Sequence, residues 1–126
     1  MTDATNGFGF NDTIQAGADL SSHQYKVVNI SGTIAASIDT SIGVLQNKPK
    51  SGEAATVKVL GKMMGLAGGS ISASGLLKVT SGYLVAVASG DRVAPCGKAL
   101  VAADSGDIFT FMGNFINGGV ILTSSY

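Results

Sequence analysis

Residues 42–61 read IGVLQNKPKSGEAATVKVLG, and this stretch is the clearest indication of the fold in the sequence. An apolar run at 42–45 is followed by polar and turn-forming residues at 47–52. Pro49 has a fixed φ and no N–H to donate, and Gly52 readily takes a positive φ, so the chain is expected to reverse direction there. Beyond the turn, Val57 and Val59 alternate with Thr56 and Lys58. This alternation predicts a second strand with one apolar side and one solvent-facing side, and therefore a β-hairpin.

The same order of parts returns in residues 97–113. Gly97 precedes an apolar run, a turn at residues 104–107 and an alternating segment at 108–112. The spacing from Gly43 to Ser51 equals that from residue 97 to 105, and Gly61 matches Gly113 after a two-residue deletion. We interpret the two stretches as related hairpins, with chance similarity between short strands punctuated by glycine as the alternative.

Further short strands alternate with turn signals along the chain. β-branched and aromatic residues predict strands at residues 25–30, 76–80, 83–87 and 120–123. Residues 62–74 are rich in glycine and other small residues, which favours short strands and turns. The longest interval without glycine is residues 18–31, so no long helix is expected. This pattern predicts an all-β fold, a small barrel or sandwich in a single domain over residues 19–126.

Residues 1–18 differ from the rest, being rich in Thr, Asn, Asp and Gly. Such a segment has too little apolar surface to fold alone, so we predict an extended N-terminal arm ahead of the β domain. Phe8 and Phe10, set between glycines, and Ile14 are the candidates for contact with a neighbouring subunit or partner protein. A disordered terminus is the alternative.

The composition favours a protein partner over a nucleic acid or a membrane. Charged residues make up 13% of the 126 residues, about half the usual share, so we expect part of the surface to be covered by another protein. The eight basic and eight acidic residues are scattered without a basic cluster, which argues against nucleic-acid binding. Residues 108–126 carry no charge, but Asn and Gly residues interrupt them, so they are interpreted as strands and not as a membrane span. No signal peptide is recognised at the N-terminus, and the single Cys96 suits a reducing cytoplasm.

No combination of residues predicts catalysis, a metal site or a cofactor. His23 is the single histidine and has no Cys, Asp or Glu near it at a metal-ligand spacing. Cys96 is expected to be a small buried apolar residue. Asp104 and Asp107 bracket a predicted turn, where Asp is favoured for local hydrogen bonds. We therefore expect a protein that is not an enzyme.

One short motif supports an alternative function. Residues 61–64, G-K-M-M, resemble the A-M-K-M motif of biotinyl carrier domains, which are small β-barrels with a modifiable lysine on a hairpin. Here both methionines follow Lys62 instead of flanking it. The alternative is therefore a small β-barrel carrier or ligand-binding domain modified at Lys62.

Residues 43–61 contain the motif GVLQNKP followed by GEAATVKVLG. This sequence resembles the small capsid decoration proteins of tailed bacteriophages, which are also called head stabilisation or cement proteins. The resemblance covers about residues 19–113. It implies a tulip-like β fold, a place on the outside of the virion capsid after synthesis in the host cytoplasm, the major capsid protein as partner, and a homotrimer. It brings no catalytic residues and does not account for the N-terminal arm. Phe8, Phe10 and Ile14 are therefore candidates for capsid or subunit contact on the composition of the arm alone.

Overall fold

Eight strands make up the regular structure of residues 9–36, 41–88 and 95–115, the parts of the chain that this computed structural model describes. Every paired neighbour is antiparallel. The strands are β1 (Gly9–Gln15), β2 (Val27–Asn29), β3 (Ser41–Leu45), β4 (Ala54–Leu66), β5 (Leu76–Thr80), β6 (Tyr83–Ala86), β7 (Gly97–Ala99) and β8 (Ile108–Asn114).

The strands form one sheet that curls into a nearly closed barrel. Their order is β2-β3-β4-β8-β7-β5-β6, with β1 pairing β4 beside this path. The two ends of the path approach each other, since the Val27 N–H donates to the Gly82 carbonyl at 2.8 Å. The N–H of Ser81 likewise donates to the carbonyl of Ala36 at 3.0 Å. The all-β fold and the single small domain predicted from the turn spacing are confirmed.

Both predicted hairpins are present, because β3 pairs with β4 and β7 pairs with β8. β4 is longer than predicted and continues through Gly61 to Leu66, where short strands and turns were expected. In this second half, buried Met63 and Gly65 alternate with half-buried Lys62 and Met64. This alternation and a full ladder of pairs with β8 hold the segment extended despite its glycines.

The second strands of the two hairpins pair with each other about a matched point. Gly61 of β4 stands opposite Gly113 of β8, and these are the two positions that the sequence repeat aligns. Antiparallel pairing of equivalent residues places a local two-fold axis between them. Gly97 of β7 stands opposite Gly113 on the other side, so glycines line up across three adjacent strands.

The first core cluster fills the barrel interior around Phe111, which is fully buried. Its ring occupies space that three glycines leave open: a Cβ added at Gly65, Gly97 or Gly113 would lie 2.8, 2.9 and 2.9 Å from a ring atom. The Phe109 ring lies 5.6 Å from it, centroid to centroid. The missing side chains therefore let one large aromatic residue fill a small barrel.

A bulge in β4 changes which side chains face the interior. The pairing of β1 shifts register between Phe10 and Asn11, and no β1 residue stands opposite Val59. Val59 packs against the first cluster, whereas Val57 belongs to a second one, so the prediction that they share a side is wrong. Lys58, predicted to face solvent, is only 3% exposed, and this burial lowers its pKa. The physical reason is that an extra residue reverses the alternation of a strand.

The second cluster lies on the other side of the sheet, where Leu45 and Val57 stand opposite each other. Leu20 and Ala16, from the segment after β1, cover it and are buried. The cluster consists of Ala16, Leu20, Val28, Leu45, Ala55 and Val57, with Ile14, Ile34 and Ile42 packed against it.

β1 lies within the predicted N-terminal arm. Residues 9–15 are extended, but they pair with residues 54–61 of β4 in the same chain, so they belong to the sheet of the β domain. The reason is that the first half of β4 would otherwise expose an unpaired edge. Residues 1–8 of the arm and the predicted strand at 120–123 lie outside the described residues.

Candidate functional site

The three predicted contact residues differ in accessibility. Phe10, on β1, is 57% exposed and stands opposite Leu60 of β4, itself 38% exposed. Ile14 is half-buried and packs against the second cluster, so it stabilises the fold of this chain. Phe8 lies outside the described residues. The structure therefore presents Phe10 as an available contact residue and gives Ile14 a packing role.

A shallow groove runs beside the end of β1. Its volume is about 340 Å³, and it is lined by Thr13, Ile14, Gln15, Gly52 and Ala54. The Gln15 amide donates to the Gly52 carbonyl at 3.3 Å across one wall. No titratable side chain lines the groove, so it offers shape and hydrogen bonds and no acid–base chemistry.

The outer face of the barrel carries a row of side chains in register across four strands. Lys62 of β4 stands opposite Met112 of β8, which stands opposite Lys98 of β7, which stands opposite Leu76 of β5. Directly opposed residues project to the same side of a sheet, so these four form one cross-strand row. We call it the lysine–methionine row. Met112 is 46% exposed and Leu76 41% exposed.

Apolar side chains surround this row on the same side of the sheet. Leu60 lies two residues before Lys62 on β4, and Phe10 of β1 stands opposite it. At the other end of the face, Leu66 of β4 stands opposite Ile108 of β8. The Leu100 N–H donates to the Thr110 carbonyl at 3.1 Å, which continues the pairing of β7 with β8. The exposed apolar residues of this outer face are Phe10, Leu60, Leu76, Leu100, Ile108 and Met112.

The charged residues of the described chain are divided between strands and turns. Strands carry four lysines and a single carboxylate, that of Asp12. The other carboxylates of the described residues, Asp19, Glu53, Asp104 and Asp107, lie between strands. The predicted turn role of Asp107 is confirmed, because its carboxylate accepts a hydrogen bond from the Asp104 N–H at 2.9 Å.

His23 lies in the turn that follows the second-cluster residue Leu20. Its Nδ1 is buried and has no hydrogen-bond partner within the described residues. Asp19 lies close enough for an electrostatic interaction with it, but the Asp19 carboxylate is held by Ser21, whose hydroxyl donates at 2.7 Å. That hydrogen bond, with one from the Ser21 N–H, lowers the pKa of Asp19. The arrangement is a local turn in which the Asp19 carboxylate already accepts hydrogen bonds from Ser21.

Cys96 is a buried member of the first cluster, as predicted, and is 1% exposed. Its Sγ donates to the Leu77 carbonyl at 3.5 Å, and burial raises its pKa to about 12. Because the thiolate is the reactive form, a neutral thiol in this position is a poor nucleophile.

Lys62 lies in the middle of β4 and not on a hairpin turn, and it is half-buried between strands. The modifiable lysine of biotinyl carrier domains lies on a hairpin, and Lys62 does not have that position. Within the described ranges, no group of three or more His, Cys, Asp or Glu side chains could hold a metal ion. No helix among those residues is long and apolar enough to cross a membrane.

The outer face was not predicted from the sequence, although part of its pattern is visible there. Residues 108–112 alternate, but no partner was predicted for Ile108 or Met112. Their exposure depends on which side of the sheet closes into a barrel, and alternation alone does not tell the inside from the outside.

Comparisons with known proteins relate the fold to solved structures, one of which is a bacteriophage head protein. The crystal structure of the head fibre gp8.5 N base of bacteriophage phi29 matches with a TM-score of 0.64 and 19% sequence identity. The match covers 86% of this chain and 96% of that chain. No protein-family model matches the chain, and neither does any curated protein. At this identity the likeness establishes a shared fold.

Proposed function

We propose that this chain is a structural protein of a tailed-bacteriophage virion that binds the outside of the capsid and stabilises contacts between major capsid protein subunits. The observation that carries the proposal is the fold, because 86% of this chain matches 96% of the base of a phage head fibre. The resemblance to capsid decoration proteins rests on different information, the amino-acid sequence of residues 43–61. It supports the same class of function, that of a phage structural protein.

The surface suits such a role. Exposed apolar side chains gather on one outer face of the barrel, and monomeric proteins seldom expose such a group without a partner. Each copy needs only modest affinity, since a capsid offers many identical sites and oligomeric binding multiplies weak contacts. We propose a homotrimer as the bound form and no catalytic activity.

Co-sedimentation with expanded capsid shells that lack the protein tests this proposal. We expect the purified chain to pellet with the shells at micromolar concentration and to raise the temperature at which they break. Protein that stays in the supernatant at that concentration would contradict it. Any truncation used as a control should stop at residue 8, because removing residues 1–18 also removes β1.

The carrier alternative is not favoured by any contact in the structure. The mass of the intact native protein still separates the two functions, because a biotinyl or lipoyl group would add its mass at Lys62. An unmodified mass is the expected result.

A further inference from the structure

We propose that the lysine–methionine row is the centre of the surface that contacts the capsid, and that its partner is an apolar protein surface carrying carboxylates. This inference rests on the proposed function and names the face and the chemistry of the partner. It depends on two observations, the register of the outer face and the separation of charges between strands and turns.

The outer face has the size of an interface core. Four strands at about 4.8 Å spacing give a width of about 14 Å, and the rows from residue 60 to 66 of β4 give a height of about 20 Å. The resulting patch of about 300 Å² is comparable to the largest apolar patches of monomers, which are often functional. A standard interface covers about 800 Å² per partner, so the patch would be the apolar centre within a polar rim.

The charge of this face selects the partner. Lys62 and Lys98 stand on the two sides of Met112, and no carboxylate lies on the described parts of β4, β5, β7 or β8. Asp12, the one acidic residue on a described strand, pairs with Val57, five positions from Lys62 and thus about 16 Å away along β4. A partner that covers Met112 must bring both ammonium groups close to its own surface. Carboxylates at those points complement them, whereas lysine or arginine would be repelled.

A protein partner fits better than a polyanion. Duplex DNA presents phosphates at regular intervals and has no apolar surface to cover residues such as Met112, Leu76 and Leu100. A protein partner can cover these exposed apolar residues and at the same time place carboxylates against the two ammonium groups.

Charge reversal at the row tests the inference directly. The double variant Lys62→Glu, Lys98→Glu is compared with Lys48→Glu, Lys50→Glu, which makes the same change in net charge at two exposed residues of the β3–β4 turn. We expect the first to bind expanded shells about tenfold more weakly than the unaltered protein, and the second to bind within about twofold. Lys62→Gln, Lys98→Gln serves as a milder second variant, and thermal unfolding of all three establishes that each is folded.

Cross-linking supplies a readout that does not depend on affinity. A water-soluble carbodiimide joins amines to carboxylates without a spacer, so it reports direct lysine–carboxylate contact. On shells carrying the unaltered protein, we expect mass spectrometry to find links from Lys62 or Lys98 to Asp or Glu of the major capsid protein. Links from Lys48 or Lys50 alone would overturn the assignment of the face.

The outcomes separate this inference from the proposed function. If the unaltered protein fails to bind shells, both fall. If it binds and the row variant binds equally well, the function stands and the inference is wrong. If charge reversal at the row changes the sedimentation coefficient of the free protein, the face joins copies of this chain. If charge reversal instead abolishes binding of the protein to DNA, the partner is a polyanion. Either result overturns the inference.

Discussion

Among single residues, the glycines around Phe111 are tightly constrained by packing. Three glycines from β4, β7 and β8 border its ring, and at Gly97 an added Cβ would also lie 2.4 Å from the Met112 carbonyl oxygen. That oxygen is backbone and cannot move without disturbing the ladder. Glycine at this position is therefore a packing requirement of the barrel and not merely a flexible point.

Replacing Gly97 with alanine is expected to lower the free energy of unfolding by about 1–3 kcal/mol, because the new methyl group overpacks the interior. Gly69→Ala is the matched control, since a Cβ there meets nothing within 4 Å. It should be neutral or slightly stabilising, because alanine restricts the unfolded chain. Urea unfolding followed by circular dichroism measures both. Equal midpoints for the two variants would contradict the packing argument.

The buried thiol of Cys96 gives the fold a specific dependence on alkaline pH. Burial raises the pKa of Cys96 to about 12, whereas the ordinary pKa of a thiol is near 9.0. Between these two pH values, the thiol of the unfolded chain has lost its proton while that of the folded chain keeps it. The unfolded state then binds fewer protons, and stability falls as pH rises, by up to about 1.4 kcal/mol per pH unit. Below the ordinary pKa the effect vanishes. Cys96→Ala should lose less stability than the unaltered protein between pH 9 and 11 in urea titrations.

Phe10 and Ile14 are separated by burial, so their alanine variants should differ. Ile14→Ala is expected to cost about 1–2 kcal/mol of stability, since the side chain packs against the second cluster. Phe10→Ala should change stability by less than about 1 kcal/mol and weaken shell binding about tenfold, because the ring is exposed at the margin of the outer face. Thermal unfolding and co-sedimentation on the same samples check this. Stronger loss of binding in Ile14→Ala would show that Phe10 is not the anchor.

At the scale of the element, β1 connects the terminus to the barrel. β1 pairs with residues 54–61 of β4, so it contributes backbone hydrogen bonds to the sheet. It also leads into the buried Ala16, which belongs to the second cluster. The same segment presents Phe10 outward. One strand thus combines a folding role with an exposed side chain that is a candidate for contact with a partner.

Truncation at two points separates these roles. Removal of residues 1–8 should leave the unfolding midpoint within a few degrees of the unaltered protein. Removal of residues 1–15 should lower the free energy of unfolding by at least about 3 kcal/mol, since a seven-residue ladder is lost and each hydrogen bond contributes about 0.5–1.5 kcal/mol. Differential scanning fluorimetry distinguishes the two. Similar midpoints would mean that β1 adds little to the domain.

At the scale of the whole molecule, the two core clusters share the strands β2, β3 and β4 and lie on opposite sides of them. Loss of either cluster removes the support of the strands that carry the other. We therefore expect one cooperative unfolding transition. Alkylation of Cys96, which reports on the first cluster, should occur at the same urea concentration as the loss of the circular dichroism signal. Alkylation at clearly lower urea would show that the barrel opens first.

Local sequence patterns were enough to predict the all-β class, both hairpins and most of the strands, but not β1 or the second half of β4. Alternation of Val, Ile and Phe with polar residues, and turn residues such as Pro49 and Gly52, act over a few positions, so they are visible in a single chain. For the same reason burial of Cys96 followed from its apolar neighbours. The exposed Phe10 was also identified from local composition.

Which side of each strand faces the interior depends on the three-dimensional pairing of the strands. The bulge at Val59 reverses the alternation of β4, which buries Lys58 and divides the valines between two clusters. The lysine–methionine row exists because four strands that are distant in sequence lie in register. Register and closure depend on pairing between remote segments, and local periodicity carries no information about a partner strand. The residues of the outer face are therefore visible in the sequence only singly, and the pairing of the strands brings them together.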